Sequence, residues 1–146
     1  MKGDRIMFCF AVSGICMATL FTQLMLVRFG YPNVYWFEVN PLFDMAFRRR
    51  MAWVQIVVNA VFCLFLYGLF RMSQSRSVKL AIFCRMLLYG LGAGYLINGL
   101  NDFMTYITLR SLPFYTSQLA VIFGGIMGAV VNFKRYRIGL KMSSNC

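Results

Sequence analysis

The sequence predicts an all-α, polytopic membrane protein whose four transmembrane helices form two antiparallel hairpins. Four apolar runs are each long enough to cross the hydrocarbon core of a bilayer. Hydrophobic residues make up 60% of the chain and charged residues 13%, whereas a soluble domain is about half apolar and a quarter charged. The cations mostly flank the apolar runs, as they do around membrane spans. With 146 residues, we expect residues 1–146 to form a single membrane domain.

The apolar runs define the predicted spans, which cover residues 6–27, 51–70, 86–107 and 114–133. The first run follows a short basic start, as the core of a signal peptide does. It is longer than a typical signal core, and no clear small-x-small cleavage site precedes Arg28. We therefore expect it to remain as the first span.

The longest connection covers residues 28–50 and is rich in aromatic residues. Aromatic rings at span ends favour the head-group level of a bilayer. Residues 41–47 are predicted to form a short interfacial helix that begins at Pro41. Glu38 precedes it and is a candidate partner for the arginine triplet at residues 48–50. Residues 134–146 form a basic tail.

The charge distribution indicates membrane partners. The formal net charge is +11, but because the cations flank apolar runs, we expect the bilayer and its anionic head groups as partners and no nucleic acid. The predicted spans place ten Lys and Arg residues on the side of the termini and five on the other. This bias predicts an integral, multi-pass protein of a plasma or inner membrane with both termini in the cytoplasm.

The residue types present argue against catalysis. The chain has no histidine and only four acidic residues, which excludes histidine-based zinc sites, haem ligation by histidine and histidine general bases. Its five cysteines form no CxxC pair, and we interpret them as small buried apolar side chains. We expect no enzyme activity, no metal and no cofactor.

Polar side chains recur in the same half of every predicted span, and Gln23 supplies the one in the first span. Gln55 and Asn59 are four residues apart, as are Asn98 and Asp102, so each pair shares one helix face. Gln118 lies at the corresponding depth of the fourth span. One interpretation is a polar substrate site that opens toward the outer side; the other is interhelical hydrogen bonding that only fixes packing, worth under about 1 to 2 kcal/mol per contact.

Asp102 is the only carboxylate inside a predicted span, and an intramembrane acid is harder to explain by packing. We therefore favour a functional role for Asp102, with Arg110 or Arg28 as its counter-ion.

Glycine spacing predicts close helix packing. Gly90 and Gly94 in the third span, and Gly124 and Gly128 in the fourth, are each four residues apart, which lets helix backbones approach closely. The short turn at Pro113 makes these spans antiparallel neighbours. We expect a tight hairpin, and the alternative is that one of these faces forms a homodimer.

Residues 82–137 resemble the GtrA-like family of small four-span membrane proteins. The matching residues are Arg85-x-Leu-Leu-x-Gly90, Asn98, Leu112-Pro113, Gln118-Leu-Ala120, Asn132-Phe133 and Arg137, with an echo in the first span at Val12-x-Gly14, Thr19-Leu20 and Arg28-Phe-Gly30. The resemblance implies two related helical hairpins. It also implies a role in moving polyprenyl-linked sugars across the membrane or in supporting a glycosyltransferase.

The leading functional hypothesis is a protein that helps to translocate a small or lipid-linked polar substrate. The residues predicted to line its site are Asp102, Asn98, Asn59, Gln55 and Gln118. Arg135 and Arg137 are predicted to hold a lipid phosphate on the cytoplasmic side. The alternatives are a non-catalytic subunit or assembly partner of a larger membrane complex, and an immunity or exclusion protein. A homo-oligomer is compatible with the first hypothesis.

Overall fold

The computed structural model describes residues 2–31, 41–75, 77–110 and 115–143. These residues form helices and no strands, which confirms the predicted all-α class for this part of the chain. The helices are α1 (Lys2–Phe29), α2 (Pro41–Arg48), α3 (Trp53–Met72), α4 (Val78–Thr108) and α5 (Tyr115–Ser143).

Three of these helices, α1, α3 and α4, are long and apolar enough to cross a membrane. The helices α1 and α4 contain the predicted spans 6–27 and 86–107, and α3 covers residues 53–70 of the predicted span 51–70, which supports a membrane protein. In α5 the apolar part is shorter and covers Gln118–Phe133. The helix α4 begins at Val78, eight residues before the third predicted span, because Arg85 is incorporated into the helix through contacts that the sequence does not reveal.

The centre of the fold is a parallel pair formed by α1 and α4. Gly92 and Gly99 of α4 lie directly against α1: a Cβ atom at Gly92 would be 2.7 Å from the Met7 carbonyl oxygen, and one at Gly99 would be 2.5 Å from that of Gly14. Gly14 in turn faces the backbone of Tyr95. The main partner of α1 is therefore a helix that is distant in sequence, and not the next long helix α3.

The second close contact joins α4 and α5, which run antiparallel. A Cβ atom at Gly90 would be 2.8 Å from the Val121 carbonyl oxygen, and one at Gly124 would be 2.5 Å from that of Tyr89. Gly128 lies against Met86 and Tyr89. Of the predicted packing glycines, Gly90, Gly124 and Gly128 thus lie between these two helices, while Gly94 is buried in α4.

The helix α3 lies against both α1 and α4. Together these three helices enclose an apolar core, which consists of Ala11, Ile15, Leu66, Leu69, Cys84 and Leu88. Much of the opposite side of α3 is apolar and exposed, including Val61 and Leu64. Apolar side chains that face outward are stable in lipid, so this exposure agrees with a helix at the edge of a membrane bundle.

Candidate polar site between the apolar helices

An amide pair joins α1 to the beginning of α3. The Gln23 side-chain amide donates to Gln55 Oε1 at 2.9 Å and to the Ala52 carbonyl oxygen at 3.3 Å. Gln55 is buried. Each helix supplies a polar group that lipid cannot satisfy, so the pairing removes the cost that each group would otherwise incur.

A second polar contact lies one helical turn deeper. The Asn59 side-chain amide donates to Thr19 Oγ1 at 2.7 Å, and the Thr19 hydroxyl donates to the Ile15 carbonyl oxygen at 2.8 Å. Gln55 and Asn59 therefore share the α3 face that meets α1, as their spacing predicts. The α1 partner Gln23 lies in the polar layer that the sequence predicts, whereas Thr19 is a partner that sequence reasoning did not indicate.

The other predicted pair, Asn98 and Asp102, is half-buried on α4. The ring centroids of Phe62 on α3 and Tyr95 on α4 are 5.1 Å apart. This contact defines which residues of the two antiparallel helices lie at the same height. On α3, Asn59 and Gln55 precede Phe62 by three and seven residues. On α4, Asn98 and Asp102 follow Tyr95 by the same three and seven residues. At 1.5 Å of rise per residue, the two pairs lie at matching heights.

The two candidate counter-ions of Asp102 lie near the same end of α4. The Arg28 guanidinium lies over the ring of Tyr106, 5.3 Å from its centroid, and over Phe29 at 4.9 Å. Tyr106 is one helical turn beyond Asp102. Arg110 is exposed, and its backbone N–H donates to Thr108 Oγ1 at 3.3 Å. An ion pair of Asp102 with either arginine stays a prediction.

Gln118 lies apart from the α1–α3 amides. It is exposed on α5, and within the described residues α5 packs against α4 and not against α1 or α3. Gln118 is therefore not in contact with Gln55 or Asn59, although the sequence predicts the same depth for all three. Arg135 and Arg137 belong to α5, but their side chains lie outside the described part of the chain.

The structure reveals a second polar cluster, at the N-terminal end of α1, that sequence reasoning missed. Arg85 Nε donates to Asp4 Oδ2 at 3.2 Å, and Arg85 Nη1 donates to Asn132 Oδ1 at 3.1 Å. The Asn132 amide donates to the Gly128 carbonyl oxygen at 2.7 Å. Asp4 is fully buried and Asn132 is 3% exposed, so this cluster joins α1, α4 and α5.

Asp4 was hard to identify because it lies in a short segment that looks like a basic flank. An acid in the first turn also stabilises a helix N-terminus. An aspartate at position 4 therefore does not by itself indicate a distant partner. The sequence signal for this cluster was Arg85, which has apolar residues on both sides. If a helix continues through such a cation, the cation requires a polar partner. Asp102 is thus not the only acid among the packed helices.

The cysteines and acids that the structure describes offer no metal site. Among the described residues, no group of three or more Cys, Asp or Glu side chains is suitably placed to hold a metal ion. Cys84 is buried in the apolar core, whereas Cys9 and Cys16 are exposed on α1. The expectation of buried cysteines is therefore met at Cys84 and is wrong at Cys9 and Cys16.

The chain matches no protein-family model, no curated protein and no solved structure.

Proposed function

We propose that the chain is a four-span membrane protein that helps to translocate a small or lipid-linked polar substrate. In this proposal α1, α3 and α4 are three of the spans, and the Gln118–Phe133 part of α5 is the fourth. Both termini face the cytoplasm of a cell with a plasma or inner membrane, so the end of the bundle near Gln55 and Asp102 faces outward. The resemblance to the GtrA-like family motivates the substrate class and remains a prediction.

The observation that carries the proposal is the shared height of two polar pairs on neighbouring helices. Gln55 and Asn59 lie on α3, and Asn98 and Asp102 lie at matching levels on α4. Polar groups inside a membrane normally face the bundle interior or a water-filled cavity. Hydroxyl and phosphate groups of a sugar substrate are suited to amide donors and acceptors, and Asp102 supplies an acceptor for hydroxyl groups.

The apolar core between α1, α3 and α4 determines toward which end of the bundle the proposed site opens. The core includes Ile15, Leu66 and Leu88 and separates the amides from the cluster around Asp4. The site therefore opens toward the end of the bundle that carries α2. Passage of a polar substrate requires α3 to move, and the Gln23–Gln55 and Thr19–Asn59 hydrogen bonds are the contacts that must exchange for contacts with the substrate.

The test is a translocation assay with the protein reconstituted in vesicles and a fluorescent polyprenyl-phosphate sugar as the probe. Asp102→Asn keeps the size of the side chain and removes its charge, and we expect it to lower the translocation rate by at least about tenfold. Asp44→Asn is the matched control because Asp44 is an acid outside the apolar helices. Equal rates for the wild type and Asp102→Asn would refute the site.

A second candidate function is that of a non-catalytic subunit of a larger membrane complex. It is favoured by the attachment of α5 to α4 alone within the described residues, which leaves an apolar α5 face that includes Ile122, Phe123 and Met127. A stoichiometric partner protein retained through purification in mild detergent supports this function. A homo-oligomer or a monomer supports the translocation proposal instead.

A further inference from the structure

The short helix α2 is attached to the bundle by one side only. Phe47 is 0% exposed and contacts Met25 and Leu26 near the end of α1. Leu42 and Met45 lie on a different side of α2 and are 44% and 48% exposed. The buried side holds α2 at the end of the apolar helix α1 and leaves the apolar side with Leu42 and Met45 exposed there.

The end of α2 is a tight turn that presents three consecutive arginines. The N–H of Met51 donates to the Ala46 carbonyl oxygen at 2.8 Å, and the N–H of Arg50 donates to that of Phe47 at 2.9 Å. These bonds close a helix C-terminus of the type that favours glycine at the left-handed position. That position is occupied by Arg50, with φ of 57°, where a side chain is strained.

All three arginines are exposed. Arg48 forms an ion pair with Asp44, with Nε 2.9 Å from Oδ2. Within the described residues, no such ion pair involves Arg49 or Arg50. Glu38, the partner that the sequence predicts for the arginine triplet, lies outside the described residues. Five cations lie at this end of the bundle, against Asp44 and Asp102 among the described residues, and Glu38 is the one further acid in the sequence between α1 and α2. The surface therefore keeps a net positive charge when all three acids are counted. The five cations are Arg28, Arg48, Arg49, Arg50 and Arg110.

Every cation at this end is an arginine, although the chain also contains lysines. The lysines lie in the first turns of α1 and α4 and in the second half of α5: Lys2, Lys79, Lys134 and Lys141. Arginine differs from lysine because its planar fork binds a phosphate through two parallel hydrogen bonds. The arginines at this end therefore favour a phosphate ligand in addition to supplying positive charge.

We propose that the arginine turn, defined as Arg48–Arg49–Arg50 at the end of α2, binds the phosphate groups of anionic phospholipids. Leu42 and Met45 insert beside the acyl chains, and Arg49 and Arg50 reach the head groups above them. This surface holds the end of the bundle at a fixed depth in the bilayer. The strained conformation of Arg50 is retained because the side chain contributes to lipid binding and not to the fold.

The test uses the full-length protein in detergent and native mass spectrometry with phosphatidylglycerol or phosphatidylcholine of the same chain length. The wild type is expected to retain more phosphatidylglycerol. Each of Arg49→Gln and Arg50→Gly is expected to weaken its retention about fivefold. Arg71→Gln is the matched control, since Arg71 is exposed at the other end of α3. This variant is expected to retain as much phosphatidylglycerol as the wild type.

Arg50→Gly separates a lipid role from a structural one. Glycine relieves the left-handed strain, so this variant is expected to unfold at a higher temperature than the wild type while it binds less phosphatidylglycerol. Unchanged retention by the double variant Arg49→Gln/Arg50→Gly overturns the proposal, as does equal retention of the two lipids by the wild type. Displacement of the lipid by excess inorganic phosphate would also overturn it, because the site would then be one for free phosphate.

Discussion

Arg85 and Asp4 form an ion pair across the parallel helices α1 and α4, with Arg85 Nε 3.2 Å from Asp4 Oδ2. Asp4 is fully buried and the Arg85 side chain is 20% exposed. The same guanidinium donates to Asn132 of α5, so one side chain holds three helices. The energy of this contact depends on both partners being present, because removal of one leaves a buried charge without compensation.

Replacement of Arg85 by methionine should therefore destabilise the protein strongly. Loss of one partner of a buried ion pair typically costs about 3 to 5 kcal/mol. The double variant Asp4→Leu/Arg85→Met removes both charges and should recover most of this stability, since apolar pairs often replace buried ion pairs without loss. Thermal unfolding in detergent measures the effect, with Arg71→Met as the exposed control. A double variant as unstable as Arg85→Met would contradict this interpretation.

The glycines of the α1–α4 interface give the next prediction. Gly99→Ala places a Cβ atom 2.5 Å from the Gly14 carbonyl oxygen, so the two helices must move apart. We expect a loss of about 1 to 3 kcal/mol in the free energy of unfolding, as for overpacked cores. The control is Gly68→Ala, because a Cβ atom there would meet nothing within 4 Å. Alanine also favours helix, so the control should be neutral or slightly more stable.

Phe47 tests the attachment of α2. Its ring is completely buried against Met25 and Leu26, so Phe47→Ala should destabilise the contact between α2 and the bundle by about 3 to 5 kcal/mol. Met45→Ala is the control because Met45 is about half exposed on the same helix. Protease cleavage in the segment before α3 reports the detachment. Equal cleavage of the two variants would indicate that Phe47 does not hold α2 in place.

The hydrogen bond between Asn59 and Thr19 is expected to contribute little to stability. A double-mutant cycle with Asn59→Leu and Thr19→Val should give a coupling energy of about 0.6 kcal/mol, the average for hydrogen bonds between membrane helices. The free energies of unfolding of the four proteins provide this value. A coupling energy above about 2 kcal/mol would mean that the amides serve mainly to fix the helices, and the case for their exchange with a substrate would weaken.

The sequence was sufficient to predict the helices but not their neighbours. The length of each apolar run identified α1, α3 and α4, and Pro41 marked the start of α2. The pairing of α1 with α4 was not predicted because adjacency along the chain favours hairpins. Gly92 and Gly99 are seven residues apart and so share one helix face, which was the sequence signal for this interface.

The site was predictable to a similar degree. Helical spacing correctly placed Gln55 and Asn59 on one face, because periodicity determines which residues share a face. It could not identify Gln23 and Thr19 as their partners, since the rotation of one helix against another depends on packing. Depth alone grouped Gln118 with them, although α5 lies on the other side of α4. Asp4 was missed because its partners, Arg85 and Asn132, are distant in sequence.

The central claim is that Asn98 and Asp102 line a polar cavity that opens at the end of the bundle carrying α2. The most direct measurement is the reaction of Asn98→Cys and Asp102→Cys with a membrane-impermeant maleimide in sealed vesicles of known orientation, with peptide mapping to separate these positions from the native cysteines. The account predicts rapid labelling at both positions from the side of α2, and none at Leu64→Cys, which faces lipid. Protection of positions 98 and 102 from the reagent on both sides would show that these residues only pack, and would contradict the account.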